Sequence, residues 1–350
     1  MIYARRLLRS ARRRLGRVLG YSSGPDTSLP VILLYHRVAD VDSDPWGLAV
    51  SPANFRDQMR VLGTQGLGIS LSELVHGLST GRLPAGKVCV TFDDGYSDNL
   101  LNAKPILEEC AIPATFFLIS GNLQGNRDFW WDALERPFFR ARRLPATLDL
   151  RTENIALTLD LGVDAEYRDA AFAGHRQWRA WDPPPSRRHH AYHELWQALF
   201  TLPSSTRETL VDTIRGWADD VDTPTESRPL SADQVRQLAS GSLIEVGGHS
   251  VTHPCLPRLD LKEQAREIVE NKIRLEALLD RPLHHFAYPH GQFNDDTVAL
   301  LKEAGYRSAC TSAAAAVSGS AEVFRLPRIC AADWTGAEFS HRLRQRFAES

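Results

Sequence analysis

Short apolar runs recur along the chain, VILLYH (31–36), KVCVTF (87–92), ATFFLI (114–119), LIEVGG (243–248), HHFAYP (284–289) and FRLPRI (324–329), with helically spaced patterns between them. Runs that are flat in polarity and bounded by turns suit strands buried on both faces. The intervening patterns predict helices at 52–64, 97–110, 231–240, 260–280 and 294–304, with Ser97 and Asp260 placed as N-caps. Strand–helix alternation predicts parallel β/α units, closed into an α/β barrel or left as an open sheet. In either architecture the chemistry gathers at the carboxyl ends of the strands.

The alternation fails between about 121 and 230, where six of the eight tryptophans lie, together with the strand-like LDLRTENIALTLDL and the break WDPPPSRRHH. This segment reads as a mixed helical insertion with its own small core, a lobe or lid placed over one end of the β/α unit. The flanking parts, 26–120 and 231–335, are read as the barrel, and 336–350 as a C-terminal helix.

Composition adds little to this picture except at the beginning. With 350 residues, 43% hydrophobic content and a formal charge of −2, the chain has ample material for a core and no basic excess that would mark a nucleic-acid partner. Residues 1–20, however, hold seven arginines and no acid. At about 100° per residue, Tyr3, Leu7, Leu8, Ala11, Leu15, Val18 and Leu19 share one face. Two readings stand for residues 1–25: an amphipathic helix on an anionic membrane surface, or a frayed or targeting tail. The first predicts a cytoplasmic protein peripheral to the inner membrane face. The five cysteines show no paired spacing and fit buried thiols in a reducing compartment.

Two motifs carry chemistry. Asp93 and Asp94, in VTFDDGY, follow an apolar run that ends a strand, so their side chains leave in different directions; one can bind a metal while the other faces substrate. His249 and His253, in IEVGGHSVTH, follow another such run, and a helical turn would put both imidazoles on one face. A carboxylate and two imidazoles suit Zn²⁺ or a similar borderline divalent ion with open positions for water and substrate. His189 and His193 repeat the spacing, but they follow a proline break and read as a solvated helix face.

In the order TFDDG, then HSxxH, then a strand ending in aromatic-Pro-x-Gly, the chain resembles the NodB-type polysaccharide deacetylases over about 30–120 and 231–330. The LLYHRV run resembles the first strand of their exopolysaccharide branch and would set His36 at a strand end near the site. The resemblance implies a distorted (β/α) barrel in which Asp93 is the catalytic base and Asp94, His249 and His253 bind the metal. It implies zinc, with cobalt, nickel and manganese as the other candidates. The substrate class it implies is an N-acylated amino sugar in a glycan or glycolipid precursor.

Three positions depart from the pattern. Ala287 stands where many members have an arginine that orients the base. Arg328 stands where most have a histidine acting as general acid; a guanidinium stays protonated, so Arg328 is placed to hold Asp93 or the oxyanion. His290 replaces a commoner tyrosine; its imidazole is the candidate acid, and its backbone N–H a candidate oxyanion donor. The leading expectation is a metal-dependent N-deacetylase. The alternatives are a deformylase or other amidase on a lipid-linked amino sugar, and a glycan-binding protein on a decayed enzyme fold.

Overall fold

The computed structural model describes residues 29–124, 127–151, 155–218 and 227–348, so the expectations for the basic tail lie outside the described residues. These residues form two compact units. One contains, of the described residues, 29–40, Leu48–Arg127 and 227–348; the other contains Val41–Gly47 and 128–218. No helix among the described residues is long and apolar enough to cross a membrane. All five cysteines are free thiols, with Cys89 and Cys310 buried.

The first unit is built on a seven-stranded parallel sheet: β1 (Val31–Tyr35), β2 (Val88–Phe92), β3 (Ala114–Leu118), β4 (Ile244–Gly248), β5 (His285–Ala287), β6 (Ser308–Cys310) and β7 (Ile329–Cys330). The order is β6-β5-β4-β3-β2-β1-β7, so each of the first six lies beside its predecessor in the chain. Leu326 bridges Cys310 at the end of β6, and shortly afterwards β7 pairs with β1 through Leu33 and Ile329. The run from Leu326 to Cys330 therefore joins the two edges, and the sheet curls into the distorted barrel that the family resemblance implies.

Every residue of β1, β2 and β3 is buried, as the flat apolar runs require. Burying a large aliphatic or aromatic side chain is worth about 1.5–3 kcal/mol; that apolar wall holds a rim of buried charges in place. The helices are α1 (Pro52–Thr64), α2 (Leu71–Ser79), α3 (Lys104–Glu109), α4 (Ala232–Leu238), α5 (Leu261–Leu279), α6 (Asp295–Glu303) and α7 (Gly336–Ala348). The helix expected at 97–110 is split: Asn99–Ala103 winds as a π-helix before α3 begins. Helix α2 and the three-residue β6 are not among the elements expected from the apolar pattern. The capping box that opens α2, Ser70 with Glu73, is nonetheless visible in the sequence.

The second unit contains the antiparallel hairpin Thr147–Arg151/Ala156–Asp160 and the helices Trp130–Phe139, Arg187–Phe200 and Ser204–Arg215. Trp130 and Trp131 are buried in it. The solvated-face reading of His189 is corrected here. That side chain is 1% exposed, because its helix turns it into the rings of Phe139 and Trp178, each 4.7 Å away.

Candidate active site

Strand register brings the two sequence motifs to one rim. Tyr35 pairs with Phe92, Leu118 with Gly248 and Gly248 with Phe286, so His36, Asp93, Asp94, His249 and Ala287 all follow at the carboxyl end of the sheet. The chain turns sharply after β2. Asp94 has φ 73° and Gly95 φ 90°, and a Cβ at Gly95 would meet the Leu118 side chain at 2.8 Å. That turn is why the acidic pair is followed by glycine.

Asp93 and Asp94 are buried and do different things. The Arg328 guanidinium donates from Nη1 to Asp93 Oδ1 and from Nη2 to Oδ2, at 2.7 Å each. Two of its three other N–H groups go to the Thr311 carbonyl (Nε, 2.9 Å) and to Thr91 Oγ1 (Nη1, 3.3 Å). Burial pushes the Asp93 carboxyl up, but the charges of Arg328, His249 and His36 outweigh it and hold Asp93 below the ordinary carboxylate range. Asp93 is thus ionised and fixed in orientation.

Asp94 Oδ1 is buried and accepts no hydrogen bond. It lies 3.5 Å from His249 Nε2 and 3.6 Å from His253 Nε2, and a ligand atom from each of the three residues falls within 4.8 Å of the others. Donors about 2.0–2.2 Å from one tetrahedral ion stand roughly 3.3–3.6 Å apart, so this donor set fits a divalent cation. His249 Nδ1 faces the Ala287 carbonyl at 2.7 Å. That bond places the proton on Nδ1 and turns the Nε2 lone pair to Asp94. Burial lowers the His249 pKa, yet Asp93 and Asp94 raise it further and the net shift is upward, which marks a pocket that favours positive charge.

The helical-turn expectation for His249 and His253 is corrected by the backbone. Residues 249–253 form an irregular loop, and Ser250 (φ 64°) and His253 (φ 56°) are left-handed. Helix α5 holds this loop from behind. Glu267 accepts from the N–H groups of Val251 and Thr252 and from Thr252 Oγ1, at 2.8 Å each, and Asn271 Nδ2 donates to the Ser250 and Leu118 carbonyls. His290, at φ 58°, is left-handed as well, and its half-buried ring packs edge-on against His253 at 4.3 Å. Four of the six non-glycine residues with positive φ among the described residues thus sit at this rim. Such backbone strain concentrates where the surroundings hold functional groups in place.

Among the residues expected from sequence, Asp93, Asp94, His249, His253, His290 and Arg328 are all brought together here. His36, half-buried, lies close enough to Asp93 to lower its pKa, and its carbonyl is fixed by Asn99 Nδ2 at 2.9 Å. Sequence reasoning passed over Glu267 and Asn271. Their signal is polar residues four apart on the buried stripe of α5, which runs Gln264, Glu267, Ile268, Asn271, Leu275.

Comparison with known proteins follows the same residues. The polysaccharide deacetylase family model matches 80–140 and 208–309. The polysaccharide deacetylase homologue YxkH of Bacillus subtilis is 33% identical over 94 residues, 26% of this chain and 32% of its own length, so the matched stretch spans about a third of that relative. The deacetylase PplD of Streptococcus pyogenes, solved with acetate, superposes with a TM-score of 0.56 at 19% identity over 92% of this chain and 99% of its own. IcaB of Ammonifex degensii gives 0.55 at 18%, over 93% and 99%. At these identities the two structures speak for the fold.

Proposed function

The chain belongs to the polysaccharide deacetylase family, and from that membership we propose that it is a metal-dependent hydrolase removing N-acetyl groups from an amino sugar of a polysaccharide or glycolipid precursor. The observation that carries the reading is a buried carboxylate, Asp93, clamped by Arg328 beside the donor set of Asp94, His249 and His253.

Asp94, His249 and His253 would hold the cation, for which zinc is the best match to one carboxylate and two imidazoles. The chemistry such an ion supplies when bound is polarisation of the amide carbonyl and activation of water. Asp93 takes the proton from the attacking water. It is free to do so because Arg328 fixes its plane without donating a proton away, a guanidinium being protonated throughout the working range. The amide C–N bond then breaks, acetate leaves, and the amine gains a proton. We assign that donation to His290, whose ring lies against His253. A second assignment, His36, is supported by its influence on Asp93 from the end of β1.

Ala287 leaves the base without the arginine that many relatives place there, and Arg328 answers that need from β7's approach. This supports an active enzyme over a decayed binding protein. The test is acetate release from short chitin oligomers by the full chain, with zinc supplied and after chelation. Release that chelation abolishes is expected; no release from any N-acetylated amino-sugar oligomer would contradict the reading.

A further inference from the structure

The π-helix Asn99–Ala103 and its cap Asp98 place three polar side chains against one short stretch of backbone, His36 to Val38, which follows β1. Asn99 Nδ2 donates to the His36 carbonyl at 2.9 Å, and Asn102 Nδ2 to the Val38 carbonyl at 2.8 Å. Asp98 Oδ1 accepts from the Val38 N–H at 3.1 Å and from Asn99 Nδ2 at 2.9 Å, while its Oδ2 accepts from Arg37 Nε at 3.0 Å. The opposite edge of the stretch is held separately, the N–H groups of Arg37 and Ala39 donating to the Leu48 and Val50 carbonyls. Winding of the π type is rare and recurs at functional sites.

Stability does not account for this cluster. Arg37 and Asp98 are both buried, and a buried ion pair gains little over apolar packing of the same volume. Asn99 is fully buried, and its Oδ1 has no partner among the described residues, which costs about 1–3 kcal/mol. What the cluster fixes lies at the site. Tyr35 pairs with Phe92, and the Asp93 N–H donates to the Tyr35 carbonyl at 3.0 Å, so His36 and Asp93 leave adjacent strands side by side. The charge of His36 is felt at Asp93. We propose that Asp98, Asn99 and Asn102 are positioning residues that clamp His36 beside Asp93 and act on the reaction through it. That this placement serves catalysis rests on the deacetylase reading of the barrel.

The experiment takes the full chain, with zinc supplied, as wild type, Asn99→Ala and Asn102→Ala, each also combined with His36→Ala. Asp98 is left in place, because its loss would strand the buried Arg37 charge. Melting temperature, kcat and KM for acetate release from a chitin oligomer are measured, together with the His36 ring C–H signal in histidine-labelled protein, assigned with His36→Ala. Misplacing a reacting group by about 1 Å costs up to about 10²-fold, so kcat is expected to fall about 10- to 100-fold in Asn99→Ala and about tenfold in Asn102→Ala, with KM unchanged and the ring signal moved. Asn102 is half-buried, so its variant decides the matter if Asn99→Ala does not fold. In the His36→Ala background either change should alter kcat by less than about twofold, since nothing is left for the clamp to hold. Wild-type kcat with a still ring signal in the folded variants, or losses that recur in full without His36, overturn the proposal and spare the deacetylase reading. No release from wild type, with a ring signal that both variants move, upholds the clamp and rejects that reading.

Discussion

Arg328 grips Asp93 through both carboxylate oxygens at 2.7 Å, across 235 residues of sequence. The contact exists because the run from Leu326 to Cys330 closes the barrel, pairing with β6 on one side and β1 on the other, so that Arg328 falls between the two pairings and points at the end of β2. On the proposed reading of Asp93 as the base, it gives the two positions of departure, Ala287 and Arg328, one explanation: the arginine that orients Asp93 comes from a different strand.

Replacing that arginine should separate charge from geometry. Arg328→Lys keeps a cation but loses the fork, and the rate is expected to fall about 10- to 100-fold with the fold intact. Arg328→Ala leaves a buried carboxylate without its partner, and a loss of about 3–5 kcal/mol in denaturant unfolding is expected. Equal turnover in wild type and Arg328→Lys would show that bidentate geometry is irrelevant.

On the proposed reading Glu267 is a positioning residue, since it accepts from the Val251 and Thr252 N–H groups and Thr252 Oγ1 in the loop that carries His249 and His253. Glu267→Gln can accept from one side of the 251–252 backbone but not as a charged acceptor of three bonds. Zinc affinity is expected to drop about 10- to 100-fold, the usual effect of losing a group that orients ligands. Metal titration of the folded variant reads this directly, and unchanged affinity would remove Glu267 from the account.

The site was legible where chemistry is local and hidden where it depends on register. TFDDG and HSxxH each end a buried strand, so the carboxylates and imidazoles were readable from residue type and position. Arg328 was visible as a candidate, but its choice between Asp93 and an oxyanion is decided by how β7 pairs, which no local pattern states. The loop 249–253 looked helical because four-residue spacing is shared by helices and by strained turns; the left-handed Ser250 and His253 leave no sequence signature, neither being glycine. His189 looked exposed because its cluster is polar in sequence, whereas the aromatic rings that bury it come from other elements of the unit.

His285 gives the barrel a pH-dependent stability. Both ring nitrogens face serines, Nε2 with Ser72 and Nδ1 with Ser308. Burial lowers its pKa, Glu245 opposes, and His284 and Arg307 lower it further, for a net shift to about 4. The folded state keeps it neutral while the unfolded chain protonates near 6.5, so its contribution is complete above about pH 6.5 and is lost as pH falls toward the folded value. Denaturant melts between these limits should show that acid limb, and it should flatten in His285→Gln; an unchanged limb would contradict the assignment.

Residues 1–20 are proposed as a membrane-surface helix. Deleting them should abolish binding to anionic vesicles while leaving turnover on a soluble oligomer unchanged. Added salt should weaken the binding of the full chain. Equal vesicle binding by both proteins would reject this reading.

The most direct test takes Asp93→Asn and wild type through the same two assays, zinc content and acetate release from a chitin oligomer. The account predicts one equivalent of zinc in both proteins and a rate about 10² to 10⁴ lower in the variant, the usual worth of a general base. A variant with wild-type turnover, or one that has lost its metal, would contradict the division of labour between Asp93 and the donor set of Asp94, His249 and His253.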